Sequence, residues 1–159
     1  MKKHSIKRII STIAIASALL SCSKDSETTD TEYPVIAVSD ADTYPVQCGT
    51  LVRGETFEFR ARFSDNVALG SFSLDVHHNF DHHTHSTEVE DCDLDPVKTP
   101  ENPFLYIDSF DIPDAPQTYD ARVEITVPAE VDPGDYHFMI RVTDREGWQT
   151  MKGLSIKIQ

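Results

Sequence analysis

The chain has 159 residues, with 14 Lys and Arg against 27 Asp and Glu, and a formal net charge of −13. Such a balance argues against nucleic acid as a partner and against electrostatic docking on anionic lipid. It suits solubility and cationic partners, metal ions included.

The chain opens "MKKHSIKRIISTIAIASALLSC". Lys2, Lys3, Lys7 and Arg8 make a positive start, and Ile9 to Leu20 form an apolar run. At about a dozen residues the run is short of the roughly 20 a spanning helix needs, and it fits the apolar region of a secretory signal. Leu19-Leu20-Ser21-Cys22 resembles a bacterial lipobox. That resemblance implies cleavage before Cys22, a lipid on its thiol, and an address at the cell envelope. The alternative is an ordinary secretory signal with an incidental cysteine. Cleavage would remove residues 1–21, with four of the 14 basic residues and none of the 27 acidic ones, for a side-chain charge of 10 minus 27, or −17. Residues 23–32, "SKDSETTDTE", have no apolar side chain and read as a flexible acidic tether. An acidic stretch behind a lipidated cysteine also resembles the export signals of surface-displayed lipoproteins of the Bacteroidota, which points to the outer membrane. Residues 33–159 then form one domain, long enough for a real core.

Alternation with period two dominates that domain. In "ETFEFRARF", Phe57, Phe59, Ala61 and Phe63 share a face. Phe72, Leu74 and Val76 do so in "SFSLDVHHNF", and Ala121, Val123, Ile125 and Val127 in "DARVEITV". In "YHFMIRV", Tyr136, Phe138, Ile140 and Val142 oppose His137, Met139 and Arg141. Leu154, Ile156 and Ile158 close the chain, and residues 34–38 and 104–110 are weaker strand candidates. One apolar face per strand predicts two antiparallel sheets packed across a core, an all-β sandwich of about seven to eight strands. Turn residues separate the runs at Asp65-Asn66, Asp132-Pro133-Gly134-Asp135 and Arg145-Glu146-Gly147.

"FSDNVALGSFSLDV" with "VPAEVDPGDYHFMIRVTDREGW" resembles bacterial immunoglobulin-like domains. The resemblance implies that Asp65-Asn66 opens strand C, that Gly134-x-Tyr136 enters strand F, and that Tyr136 is the corner tyrosine, its hydroxyl bonded to backbone. The motif "HHNFDHHTH", residues 77–85, also resembles that of an uncharacterised family of Bacteroidota lipoproteins, a domain of unknown function.

"HHNFDHHTH", residues 77–85, holds five of the seven histidines. In an immunoglobulin-like sandwich strands C and F are antiparallel neighbours. His77, near the end of C, and His137, near the start of F, should therefore project from one end on the face away from the core. Opposed side chains on neighbouring strands have Cβ atoms about 4.5–5.5 Å apart, so two imidazoles there can share an ion. An extended 83–85 segment offers His83 and His85 to the same side, with His82 contributing instead if the loop turns. Asp75 or Asp81 is placed to orient a ring through its second nitrogen. His78, on the core side, reads as a satisfied structural histidine and not a ligand. Imidazole selects Zn²⁺, Cu²⁺ or Ni²⁺ over Ca²⁺ and Mg²⁺. The alternatives are a solvated or pH-responsive loop, and an interaction surface that uses no metal.

Cys48 and Cys92 would form a disulfide in an oxidising compartment; two free thiols, or zinc ligation, are the alternatives. "EDCDLDP" (90–96) and "DAD" (40–42) have the oxygens of a calcium cluster but read better as acidic surface, and "TDREG" (143–147), similar to cadherin calcium motifs, reads as a plain turn. No nucleophile with a base at telling spacing, no H-E-x-x-H and no phosphate-cradling glycine loop is present, so no enzyme is expected. The expectation is a lipid-anchored envelope protein that holds zinc or copper through His77, His82, His83, His85 and His137, for capture, buffering or delivery. The rival is an envelope module that binds a protein or glycan without metal.

Overall fold

The computed structural model describes residues 29–38, 41–85 and 92–159. Cys22, the signal-like segment and most of the tether lie outside them. Eight strands follow one another: β1 (Val35–Ala37), β2 (Gly49–Leu51), β3 (Thr56–Ser64), β4 (Leu69–His78), β5 (Tyr106–Asp111), β6 (Thr118–Thr126), β7 (Gly134–Asp144) and β8 (Gln149–Ile158). They make two sheets, ordered β1-β3-β6 and β2-β8-β7-β4-β5. The alternating apolar residues face inward. Phe59 and Phe63 of β3 meet Phe138 of β7 and Phe72 of β4, with ring centroids 5.6 and 5.2 Å apart, and all four rings are buried. This is an all-β sandwich in which strands C and F, here β4 and β7, are antiparallel neighbours.

Among the described residues the strand pairing is antiparallel with one exception: β2 runs parallel to β8. The chain crosses between the sheets after β1, so the short β2 joins the far sheet alongside the last strand and in its direction. At three residues, β2 is too brief for alternation to reveal it.

Tyr136 is the corner tyrosine. Its hydroxyl donates to the Asp132 carbonyl at 2.7 Å and accepts from the Phe104 amide at 3.1 Å, while burial raises its pKa above the ordinary tyrosine value. Gly134, just before it, has φ 132°. A Cβ there would stand 3.0 Å from the Phe80 ring and 3.1 Å from Lys98 Nζ. Glycine thus lets Phe80 seat against the end of the sandwich.

The outward side of β7 is covered, and one expectation, the free tether, is corrected. His137 and Met139, on the outward side of β7, are only 0% and 8% exposed. β7 has a neighbour on each side, and the segment after β4 folds back over its outer face. At the N-terminus, ordered contacts begin inside the stretch expected to be a free tether. Asp30 is buried, its carbonyl accepts from Trp148 Nε1 at 3.0 Å, and Tyr33 packs edge-on against Trp148 at 5.0 Å. A polar stretch without apolar side chains can still be buried where its groups are hydrogen-bonded.

Candidate metal centre

The register of β4 on β7 pairs His77 directly with His137. Their rings lie 5.4 Å apart. Beyond β4 the chain is pinned at once. The Asn79 amide donates to the Asp135 carbonyl at 2.8 Å and the Lys98 amide to the Phe80 carbonyl at 3.0 Å. Phe80 is buried, edge-on to Tyr136 at 5.3 Å. The chain then turns: the His82 amide bonds the Asn79 carbonyl, and His82 sits in the left-handed region at φ 59°. Past that turn His83 and His85 lie over His77 and His137.

Four imidazoles result, every pair of ring centroids between 4.7 and 5.6 Å. Within them, His77, His83 and His85 each bring one ring nitrogen to within 4.8 Å of the others. Nε2 of His77 and Nε2 of His85 are 3.2 Å apart. Two nitrogens bound tetrahedrally to one zinc ion at about 2.0–2.1 Å are themselves roughly 3.3 Å apart, so this pair already has the spacing of ligands.

The tautomers follow from the other nitrogens. His77 Nδ1 is 2.6 Å from Asp75 Oδ1, and His83 Nδ1 is 2.6 Å from Asp81 Oδ1. A carboxylate only accepts, so both Nδ1 atoms carry protons, and in the neutral rings both Nε2 atoms keep their lone pairs. The hydrogen bond to His83 holds the Asp81 carboxyl below the ordinary carboxylate range. Carboxylate–histidine pairs of this kind orient metal-binding imidazoles and raise their basicity. A divalent ion here would be matched in charge by the two carboxylates.

His137 has another place. Its Nε2 donates to the His83 carbonyl at 3.1 Å, so the ring forms the buried floor and holds the loop down. Of the expected His77, His82, His83, His85 and His137, those that could hold an ion together are His77, His83 and His85, with His137 beneath them. His82 does not join: its Nε2 donates to the Asp95 carbonyl at 2.8 Å, because the turn that brings His83 and His85 inward points His82 away. His78 packs against Phe80 with the rings tilted, centroids 5.0 Å apart, but its Nδ1 is buried without a hydrogen-bond partner, so it is not the satisfied histidine expected.

Cys48 and Cys92 are joined by a disulfide. It lies beside Ser155, which is opposite His137 in the register, and so at the histidine end. A cavity of about 350 Å³ adjoins the disulfide and contains no imidazole. Another, of about 150 Å³, opens beside the histidines and is lined by Asp75, His77, His85, Met139, Arg141 and Met151. Its two methionines are the only ones besides the initiator. Sequence reading passed over them, since Met139 is one outward residue among several and Met151 sits in a strand whose apolar residues begin later.

A β-sandwich with a histidine cluster at one end is the class of protein defined here. The chain belongs to the family described as "Domain of unknown function (DUF4625)", whose model matches residues 20–159. No curated protein matches the sequence. Among solved structures, a "GspB Siglec domain" is 21% identical with a TM-score of 0.45, covering 82% of this chain, which spans 59% of that one. A Niemann-Pick type C2 protein from Japanese carpenter ant is 10% identical with a TM-score of 0.40, covering 80% of this chain and 90% of its own.

Proposed function

We propose that this protein is an envelope protein, lipid-anchored through Cys22, that binds a late first-row divalent metal through His77, His83 and His85. Its role would be capture, buffering or delivery of zinc or copper. The observation that carries the reading is the convergence of three imidazole nitrogens within 4.8 Å of one another, two of the rings already oriented by carboxylates at 2.6 Å. A merely solvated loop has no need for that arrangement. Three imidazoles leave a fourth position open for water, a second donor or a transfer partner. Met139 and Met151 in the adjoining cavity favour copper, since thioether sulfur is a soft ligand suited to Cu⁺.

The test is isothermal titration of the untagged protein with Zn²⁺ and Cu²⁺, on wild type, His85→Ala and His82→Asn, asparagine being tolerated in the left-handed region that His82 occupies. Wild type and His82→Asn should bind alike, and His85→Ala at least tenfold more weakly. No binding by wild type, or equal losses in both variants, would refute the site. A metal-independent binding module is the second reading. Leu105 and Ile107, 66% and 67% exposed, flank the start of β5, an edge strand of its sheet, where an extended partner segment could add on.

A further inference from the structure

At the opposite end of the sandwich three carboxylates converge. Asp65 follows β3, Asp144 ends β7, and Asp30 belongs to the segment before β1. The register pairs Leu69 with Asp144 at this end and His77 with His137 at the other. Eight residues of strand separate the two, about 26 Å at roughly 3.3 Å per residue.

Each carboxylate is buried, with residue exposures of 5%, 9% and 4% for Asp30, Asp65 and Asp144. In each, one oxygen is held by local donors. Asp30 Oδ1 accepts from the Glu32 amide and Asn66 Nδ2, both at 3.0 Å. Asp65 Oδ2 accepts from the amides of Val67 and Ala68, at 2.8 and 2.7 Å. Asp144 Oδ1 accepts from the amides of Gly147 and Trp148, at 2.6 and 2.8 Å. The other oxygens, Asp30 Oδ2, Asp65 Oδ1 and Asp144 Oδ2, are buried and have no hydrogen-bond partner. Each residue brings one oxygen to within 4.8 Å of the others, and no ion pair among the described residues engages them.

Three like charges held this close, out of water and without a counter-charge, are strongly unfavourable. The local amides take up one oxygen of each carboxylate and leave a buried oxygen of each without a partner; a cation is the partner this geometry favours. The donors are all oxygen, which selects a hard ion. Their spacing fits inside a calcium shell, about 4.6–5.2 Å across from Ca–O distances of 2.3–2.6 Å, whereas Mg²⁺ seldom takes an all-protein cage. The fold also builds the approach. Gly70 lies on a bulge of β4, and a Cβ there would come within 2.8 Å of the Asp144 carbonyl. The Trp148 indole donates to the Asp30 carbonyl and covers the cluster's flank.

We propose that Asp30, Asp65 and Asp144 form a calcium site, separate from the histidine cluster, which clamps the segment before β1 onto the β3–β4 and β7–β8 turns. The chain has a single tryptophan, and Trp148 stands beside the site, so terbium can report on it. The full chain, purified in detergent and stripped with chelator, should show terbium luminescence on excitation of Trp148, and Ca²⁺ should displace it. Ca²⁺ alone should raise the melting temperature. Asp30→Asn lies outside the sheets, so the fold should survive it. It should weaken Ca²⁺ about tenfold or more, since affinity follows the count of charged ligands, and leave zinc titration unchanged. Trp148→Phe should lose the luminescence but keep the Ca²⁺-dependent melting shift. The proposal fails if Ca²⁺ neither displaces terbium nor shifts the melting of wild type, or if Asp30→Asn responds to Ca²⁺ as wild type does. It also fails if the chelated protein is stabilised by mild acid and indifferent to Ca²⁺, because the carboxylates then share protons instead of a metal.

Discussion

Asp75→Asn tests the logic of the histidine centre without touching a proposed ligand. The Asp75 carboxylate accepts the Nδ1 proton of His77 at 2.6 Å and leaves the Nε2 lone pair facing His85. Asparagine keeps the shape but presents a neutral oxygen, and a hydrogen bond to a charged acceptor is roughly twice as strong as one between neutral groups. The imidazole becomes less basic and less firmly oriented. Loss of such a supporting partner typically weakens metal affinity about 10–100-fold, or roughly 1.4–2.7 kcal/mol. The metal-free fold should hardly notice, because the Asp75 side chain is 42% exposed and exposed pairs contribute about 0–1 kcal/mol. Competition against a chromogenic zinc chelator at pH 7 measures the effect, with Asp81→Asn as a parallel case through His83 and Asp120→Asn, on the other sheet, as a control. Zinc affinity of Asp75→Asn within about twofold of wild type, alongside loss of binding in His77→Ala, would refute the orienting role.

Other outcomes follow from the same geometry. Protons compete for the ring nitrogens, so zinc affinity should fall steadily between pH 7 and pH 5; a flat titration series would point to other ligands. Tyr136→Phe leaves the Asp132 carbonyl and the Phe104 amide without their shared hydroxyl and should cost about 1–3 kcal/mol in urea unfolding, with the slope unchanged. Reducing the Cys48–Cys92 bridge, which spans 44 residues, should cost about 2–4 kcal/mol and loosen the histidine loop; two reactive thiols at these positions in the denatured, unreduced protein would contradict it. The Asp132 carboxyl is held below the ordinary range, first by the Asn102 amide and then by that of Glu101. Its folded pKa is the lower one, so its stabilisation is present above the unfolded value of about 3.9 and is lost as pH falls through the folded value. Asp132→Asn should flatten that acid limb in melting experiments, and an unchanged limb would assign it elsewhere. Cys22→Ser should release the protein from membranes; retention after a high-salt wash would remove the lipid anchor from the reading.

The sequence by itself determined the sandwich. A two-residue period in "ETFEFRARF" or "DARVEITV" leaves an apolar face that only a second sheet can cover, and this holds whatever the loops do. It also placed His77 and His137 at one end, because alternation and strand order are enough for that. What it did not determine was which histidines converge. That depended on the direction of the chain after β4, decided by Phe80 seating against Tyr136 over Gly134 and by the left-handed turn at His82. Those contacts send His83 and His85 inward, His82 outward, and put His137 underneath. The three aspartates were less legible still. Asp65 and Asp144 fit turns, and in each one oxygen does cap a turn, while Asp30 sits in a stretch with no apolar residue to announce burial. The three carboxylates meet only when two turns and the N-terminal segment are folded together, and a one-dimensional pattern carries no record of that meeting.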